Sequence, residues 1–573
     1  MPQRPHAALG LIVITLLLTS SMPAQQSASV PTNSSSLVDP NDPIARIRDE
    51  GLKRSQVMET MSHLTDVIGP RLTASPNMKR ANDWTRDQLE KWGLQNARLD
   101  PWGPFGRGWE LKSFSAEMIA PQAMPLIGFP KAWSPAAQIS SGEVIHLEAK
   151  DEADLARYKG QLRGKVVMFG APRNINVSFD PQAVRLTDKE LLEMADAGDA
   201  AAPDFAGSLA TPPYQEIVKA RAFRIKQYQF MRDEGAALIV NPSARDGGTI
   251  LVEEAMNPAD LDMSSALATL RSIYFAPRPY DVNVTAIVPQ IIIALEQYNR
   301  LARLLKAGEK VRLKVSLVAQ YSKDAMMSYN TIAEIPGTDK ADEIVMLGAH
   351  LDSWHAGTGA TDNAAGVAVV MEAMRIIQTL GLKPRRTIRI GLWSGEEQGL
   401  FGSEAYVAKH FGRPTDDSKD VTFLRVIQGG IARKFTRGPE YDKFSAYYNL
   451  DNGTGKIRGI YLQGNEAVRP IFRQWFQPLR DLGASTLTAS DTLGTDHQSF
   501  DAIGLPGFQF IQDDIEYSTR TYHSNQDVLD RVQADDLKQA SIIMAVFAYN
   551  TAMLDQKLPR KKLPGQYFNF KLA

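Results

Sequence analysis

From Ser328 onward the chain alternates short apolar runs with helical stretches, and few architectures other than helices packed against a largely parallel sheet satisfy that rhythm. Glu343 to Ala349 and Arg386 to Trp393 read as strands, with an Ala- and Val-rich helix from Ala364 to Leu380 between them. Phe444 to Leu450 and Phe508 to Ile511 read as further strands, and Asp535 to Leu554 as a closing helix. An α/β domain is the expected fold class. Open sheets of this class gather ligands beyond the carboxyl ends of their strands.

Chemistry-bearing residues stand at those ends. His350 and Asp352 in GAHLDSW follow the first strand, and Glu396 and Glu397 in WSGEEQG follow the second. Asp451 in YNLDNG follows the third, His523 in RTYHSNQD lies in the loop after the fourth, and Asp362 in ATDNAAG completes the set. Any one acid alone is more simply a helix N-cap or a solvated turn residue, and a lone histidine more simply a core or surface residue. Together they suit a paired divalent metal centre that activates water. Two cations about 3.5 to 4 Å apart repel strongly and need a bridging carboxylate, further carboxylates and imidazoles. A His, Asp and Glu set without thiolate favours zinc or a neighbouring borderline metal, and the chain has no Cys. Asp352, two residues past His350, falls on the same side of an extended chain and is placed to accept the free imidazole N–H. Adjacent side chains cannot point the same way, so one of Glu396 and Glu397 would bind metal while the other faces the attacking water.

A formal net charge of -1 gives no electrostatic footprint for nucleic acid or an anionic membrane. The N-terminus differs in kind. Arg4, the apolar run Ala7 to Leu18 and small or polar residues through Ala24 have the order of a secretory signal, with export to a periplasm or the extracellular space. The run is too short to span a bilayer comfortably, and stable membrane insertion is not expected. Residues 25–42 read as a linker, and several helices are expected between Ile44 and Trp92. From about Ala120 to Tyr321 short β runs alternate with turns, around an Ala-, Asp- and Pro-rich stretch from Asp196 to Pro213. Asn-x-Ser/Thr triplets at Asn33, Asn176, Asn283 and Asn452 are common by chance and carry no inference.

The segments GAHLDSWHAGTGATDNAAG, WSGEEQGLFGS, NLDNGTG and TRTYHSNQD together resemble the co-catalytic dizinc exopeptidase family, which contains leucyl-type aminopeptidases and glutamate carboxypeptidases. The likeness runs from about Ile44 to Leu558 and leans towards the carboxypeptidase branch. YKGQLRGKVVMFGA and GAALIVNPS are similar to the protease-associated domain that such enzymes often carry. The resemblance implies a three-layer sandwich on a mostly parallel mixed sheet. Residues 43–119 would form the N-terminal part of the peptidase domain, 120–321 an inserted β-rich protease-associated module, 322–560 the catalytic domain and 561–573 a tail.

By the same resemblance His350 and Asp451 would hold one Zn2+ or other divalent metal, Glu397 and His523 a second, and Asp362 would bridge them. Glu396 would be the general base, Asp352 would support His350, and the Asp362–Asn363 peptide bond would be cis. Some family members place an oxyanion-steadying tyrosine just before the segment that reads GTDHQSF here, where this chain has Asp491, Thr492, Leu493 and Gly494. His497 is the candidate donor in its place, the alternative being a structural helix-start residue. His355, flanked by Gly357 and Gly359, reads as part of a solvated turn. The implied substrate is a dipeptide or short peptide, with amino- or carboxyl-end attack left open and a homodimer compatible with either. Rival readings are an amide-hydrolysing enzyme using the same metal pair, or a catalytically dead binding protein of the transferrin-receptor kind, which would have lost ligands that this chain keeps.

Overall fold

The computed structural model describes residues 41–198, 212–284, 287–415 and 434–561. The expected signal segment, almost all of the linker, most of the Asp196 to Pro213 stretch and the tail beyond Lys561 lie outside the described residues. Among the described residues no helix is long and apolar enough to cross a membrane.

The C-terminal half is built on a sheet whose centre is the strand Lys340–His350. Arg386–Trp393 pairs parallel to it on one side and Phe444–Asn449 parallel on the other, with Gly507–Gln512 parallel beyond that. Ile457–Tyr461 adds an antiparallel strand past Gly507–Gln512, so the sheet is mixed and mostly parallel. Because consecutive strands leave the central one in opposite directions, a crevice opens at its carboxyl end, where such sheets take ligands.

Side-chain alternation sorts the central strands onto two buried faces. Val345, Leu347, Ile388, Ile390 and Leu392 pack under the helices Pro43–Lys53, Ala365–Thr379 and Ala534–Met553. Ile344, Met346 and Trp393 face the opposite layer, with Tyr406, Phe411, Tyr447 and Phe500. Helices on both faces make the three layers.

Gly348 shows how tightly this centre is packed. A Cβ there would lie 2.3 Å from the Gly391 carbonyl oxygen and 2.8 Å from the Tyr447 hydroxyl. The nearest obstacle is backbone that cannot swing aside, so Gly348→Ala is expected to cost about 1 to 3 kcal/mol of stability, as overpacked core sites do. A denaturant midpoint unchanged in urea would contradict this.

Two long strands, Gln95–Ala120 and Arg312–Ile335, run antiparallel as a ribbon from this sheet into the second module. The boundaries expected at 119/120 and 321/322 therefore fall inside continuous strands. The module is not chiefly β. Ala137–Leu147, Val166–Phe169, Leu238–Pro242 and Gln290–Ile293 form a short parallel sheet, but helices Pro212–Asp233 and Leu295–Lys306 pack on it and Ala266–Tyr274 packs on Pro212–Asp233. Pro212–Asp233 buries only Val218, Ala222, Ile225, Gln227, Tyr228 and Met231, and this sparse apolar stripe hides the helix in the sequence.

Candidate active site

The sheet edge assembles the candidate residues into two groups that share a member. His350 Nε2 lies 3.2 Å from Asp362 Oδ1 and 3.3 Å from Asp451 Oδ1. His523 Nε2 lies 3.0 Å from Glu397 Oε2 and 3.5 Å from Asp362 Oδ2. Asp362 thus turns one oxygen to each group. It precedes a cis peptide bond to Asn363, whose side chain donates to the Leu450 carbonyl at 2.9 Å and accepts from Gly366 N at 3.0 Å.

These donors fit divalent cations. The ligand atoms of His350, Asp362 and Asp451, and those of Asp362, Glu397 and His523, each lie within 4.8 Å of one another. Asp362 Oδ2 and Glu397 Oε1 are buried and accept no hydrogen bond. Buried carboxylates without partners are costly unless a cation answers them. The acids also crowd one another: burial and the nearby Asp362 push the Glu397 carboxyl up to about 7. Burial raises Glu396 well above the carboxylate range, and the charges closest in effect are those of His350 and Asp451. Glu396 belongs to neither group of three.

Asp352 acts on both sides of the site. His350 Nδ1 donates to the Asp352 backbone carbonyl at 3.1 Å, while the Asp352 carboxylate stands 3.7 Å away. The carboxylate instead accepts from Glu396 N and Glu397 N, each at 3.3 Å, and from Thr73 Oγ1 at 2.9 Å. It therefore fixes the turn that separates the two glutamates, and the imidazole tautomer is set by backbone.

His497 is buried and kept neutral, its basicity depressed to about 4 by burial, and its Nε2 meets the Thr492 carbonyl at 2.9 Å. Among the described residues it makes no hydrogen bond to either group of three. His355 is not solvated. Its ring is buried edge-on against Trp109 and its Nε2 lies 2.8 Å from the Pro130 carbonyl, which ties the metal loop to the chain entering the second module. The flanking glycines serve close packing: a Cβ on Gly357 would meet the Asp527 and Ser524 carbonyls at 2.6 Å.

Three supporting residues escape the sequence reading. Asp527 accepts from Thr361 N at 2.5 Å and Asp362 N at 3.3 Å, orienting the shared carboxylate. Arg71 is fully buried and donates to the carbonyls of Leu351, Thr358 and Gly359, stapling the loop from both ends. Glu253, from the second module, lies 2.9 Å from His523 Nδ1. His523 itself has φ of +53°, an uncommon conformation for a side-chain-bearing residue, and its carbonyl is held by Val252 N at 2.9 Å. Asp527 stood in the quoted RTYHSNQD segment and could have been found there. Glu253 and Arg71 carry no local signal.

Comparison with known proteins agrees with this geometry. Residues 330–548 match the profile of peptidase family M28. Carboxypeptidase Q of Mus musculus is 26% identical over 513 residues, covering 89% of this chain and 88% of the relative. Leupeptin-inactivating enzyme 1 of Streptomyces exfoliatus is 33% identical over 260 residues, covering 42% of this chain and 52% of that protein. A peptidase M28 precursor from Shewanella amazonensis, solved by crystallography, superposes with a TM-score of 0.60 at 24% identity, over 91% of this chain and 98% of its own. A zinc-type donor set at the switch point of this sheet, joined to a match to the peptidase family M28 profile over residues 330–548, identifies the chain as a zinc-dependent exopeptidase that is similar to carboxypeptidase Q over most of its length.

Proposed function

We propose that the protein is an exported dizinc exopeptidase that hydrolyses the terminal peptide bond of dipeptides or short peptides. The observation that carries this reading is Asp362, whose two oxygens face His350 and His523 separately. His350 and Asp451 would hold one zinc, Glu397 and His523 the other, and Asp362 would be shared. When bound, such a pair lowers the pKa of a water and polarises a carbonyl.

The remaining chemistry belongs to the chain. Glu396, half-buried and outside both ligand groups, takes the proton from the attacking water and returns it to the leaving amine. The Asp352 carboxylate, gripping both glutamate amides, keeps that base from drifting into the ligand position. Trp354 and Gly357 line the small gap beside Asp362, Glu397 and His523, and limit the water that enters with substrate. The second module closes against this edge through Glu253, which favours short chains over folded proteins.

The test is zinc content per chain together with hydrolysis of a dipeptide in free, N-acetylated and C-amidated forms. Two zinc ions with cleavage of the free form support the reading, and hydrolysis of the amidated series alone would mark amino-end recognition. No hydrolysis by zinc-replete protein would overturn it. A separate expectation concerns Glu253: Glu253→Ala should weaken the metal held by His523 about 10- to 100-fold, as loss of a ligand's outer partner does. Competition with a chelator reads this directly, and unchanged retention would deny Glu253 the role.

A further inference from the structure

The loop that carries His523 is held from the second module by a short antiparallel ladder. Val252 N donates to the His523 carbonyl at 2.9 Å and Asn525 N to the Ile250 carbonyl at 3.2 Å, with Leu251 facing Ser524 between them. Asn525 locks this ladder with its side chain. Its Oδ1 accepts from Ile250 N at 2.7 Å, and its Nδ2 donates to the Gly248 carbonyl at 3.3 Å.

The module's side of the ladder is firmly seated. Ser243 Oγ donates to the Thr249 carbonyl at 2.6 Å and accepts from Leu251 N at 3.2 Å. Ile250 and Val252 are fully buried with Ile292 and Ala294 of the module and with Ala356 from the loop that follows His350. One apolar joint therefore reaches both metal loops. At the ladder's end Glu253 meets His523 Nδ1 at 2.9 Å.

His523 keeps its φ of +53° only because its surroundings over-determine it, as strained residues at functional sites require. The ladder supplies that constraint, since the carbonyl it fixes is that of His523 itself. A loop freed from the ladder would relax and carry Nε2 away from Glu397 and Asp362, now 3.0 and 3.5 Å distant.

We propose that the second module completes the metal site, its docking and the binding of zinc at His523 and Glu397 forming one linked equilibrium in which Asn525 is the positioning residue. The proposal rests on the dizinc reading above and deepens it by naming what controls that site. Linkage is reciprocal: zinc tightens the ladder by the factor by which the ladder tightens zinc.

The experiment uses the full chain as wild type, Asn525→Ala and Asn525→Asp, each with zinc and with chelator. In chelator competition Asn525→Ala should hold one of two zinc ions about 10- to 100-fold more weakly, as loss of outer support to a ligand does, and keep the other. Asn525→Asp retains the acceptor for Ile250 N and should recover most of the loss. Hydrogen exchange at the Val252 amide, a contact the substitution leaves alone, reads the ladder itself: zinc should slow it in wild type and fail to do so in Asn525→Ala. In chelator the Leu347 amide of the central strand should exchange alike in both. Full retention of both ions by Asn525→Ala, or loss of both with faster exchange at Leu347, would overturn the coupling. A wild type that binds fewer than two zinc ions overturns the dizinc reading instead. Zinc-dependent protection of Val252 that Asn525→Ala abolishes would then still uphold the coupling, and its absence in wild type would end it.

Discussion

Glu396→Gln should keep its zinc and its unfolding midpoint while turnover falls by about 10² to 10⁴-fold, the contribution of a positioned general base. The substitution preserves volume and the backbone amide that Asp352 holds at 3.3 Å, so the turn carrying Glu397 should stay in place. It removes only the capacity to accept a proton. Glu397→Gln, one residue on, supplies the contrast: its carboxylate lies 3.0 Å from His523 Nε2, and its loss should lower metal content as well as rate. The pair of variants separates a base from a ligand. Wild-type turnover in zinc-replete Glu396→Gln would remove the assignment, and equal metal loss in both variants would show that the two roles are not divided as argued.

The gathering of candidate residues at the sheet edge was legible because strands impose a simple rule. A parallel strand must end, and the residue just past its carboxyl end enters the crevice whatever the rest of the sequence does. His350, Glu396, Glu397 and Asp451 all follow from that rule, and the structure places them where it says. What the rule does not reach is support arriving from elsewhere. Glu253 stands 270 positions from His523 and lies in a module whose own periodicity is weak. Arg71 is a buried cation whose partners are mostly backbone carbonyls, and carbonyls leave no trace in a sequence. His355 misled for a related reason. Glycines at 357 and 359 read as turn formers, yet Gly357 is there because neighbouring carbonyls leave no room for a Cβ. Long-range packing, not local propensity, decided each of these positions.

Asp362→Asn tests the shared carboxylate, and its effect on stability should change sign with metal. In zinc-replete protein the amide replaces one of two anionic oxygens that face His350 and His523 at 3.2 and 3.5 Å, so the proposed pair of cations would lose the negative charge between them. Zinc content should fall to one ion or none, and turnover should drop by more than the roughly 10- to 100-fold typical of an outer partner. Bound metal stabilises whatever state binds it, so the zinc-replete unfolding midpoint should fall too. In chelator the sign reverses. Burial together with Asp362 pushes the carboxyls of Glu397 and Asp527 up to about 7. A carboxyl raised above its unfolded value leaves stability intact below the unfolded pKa and costs stability as pH climbs from the unfolded pKa to the folded one, above which the cost is constant. Removing the Asp362 charge relieves that repulsion, so metal-free Asp362→Asn should equal metal-free wild type at acid pH, gain on it as pH rises towards about 7, and keep the full gain above that. Urea unfolding with zinc and with chelator, at acid and alkaline pH, reads all four conditions. A destabilisation of the same size in zinc and in chelator would mean that Asp362 is structural, and that the two groups of donors do not share it as a ligand.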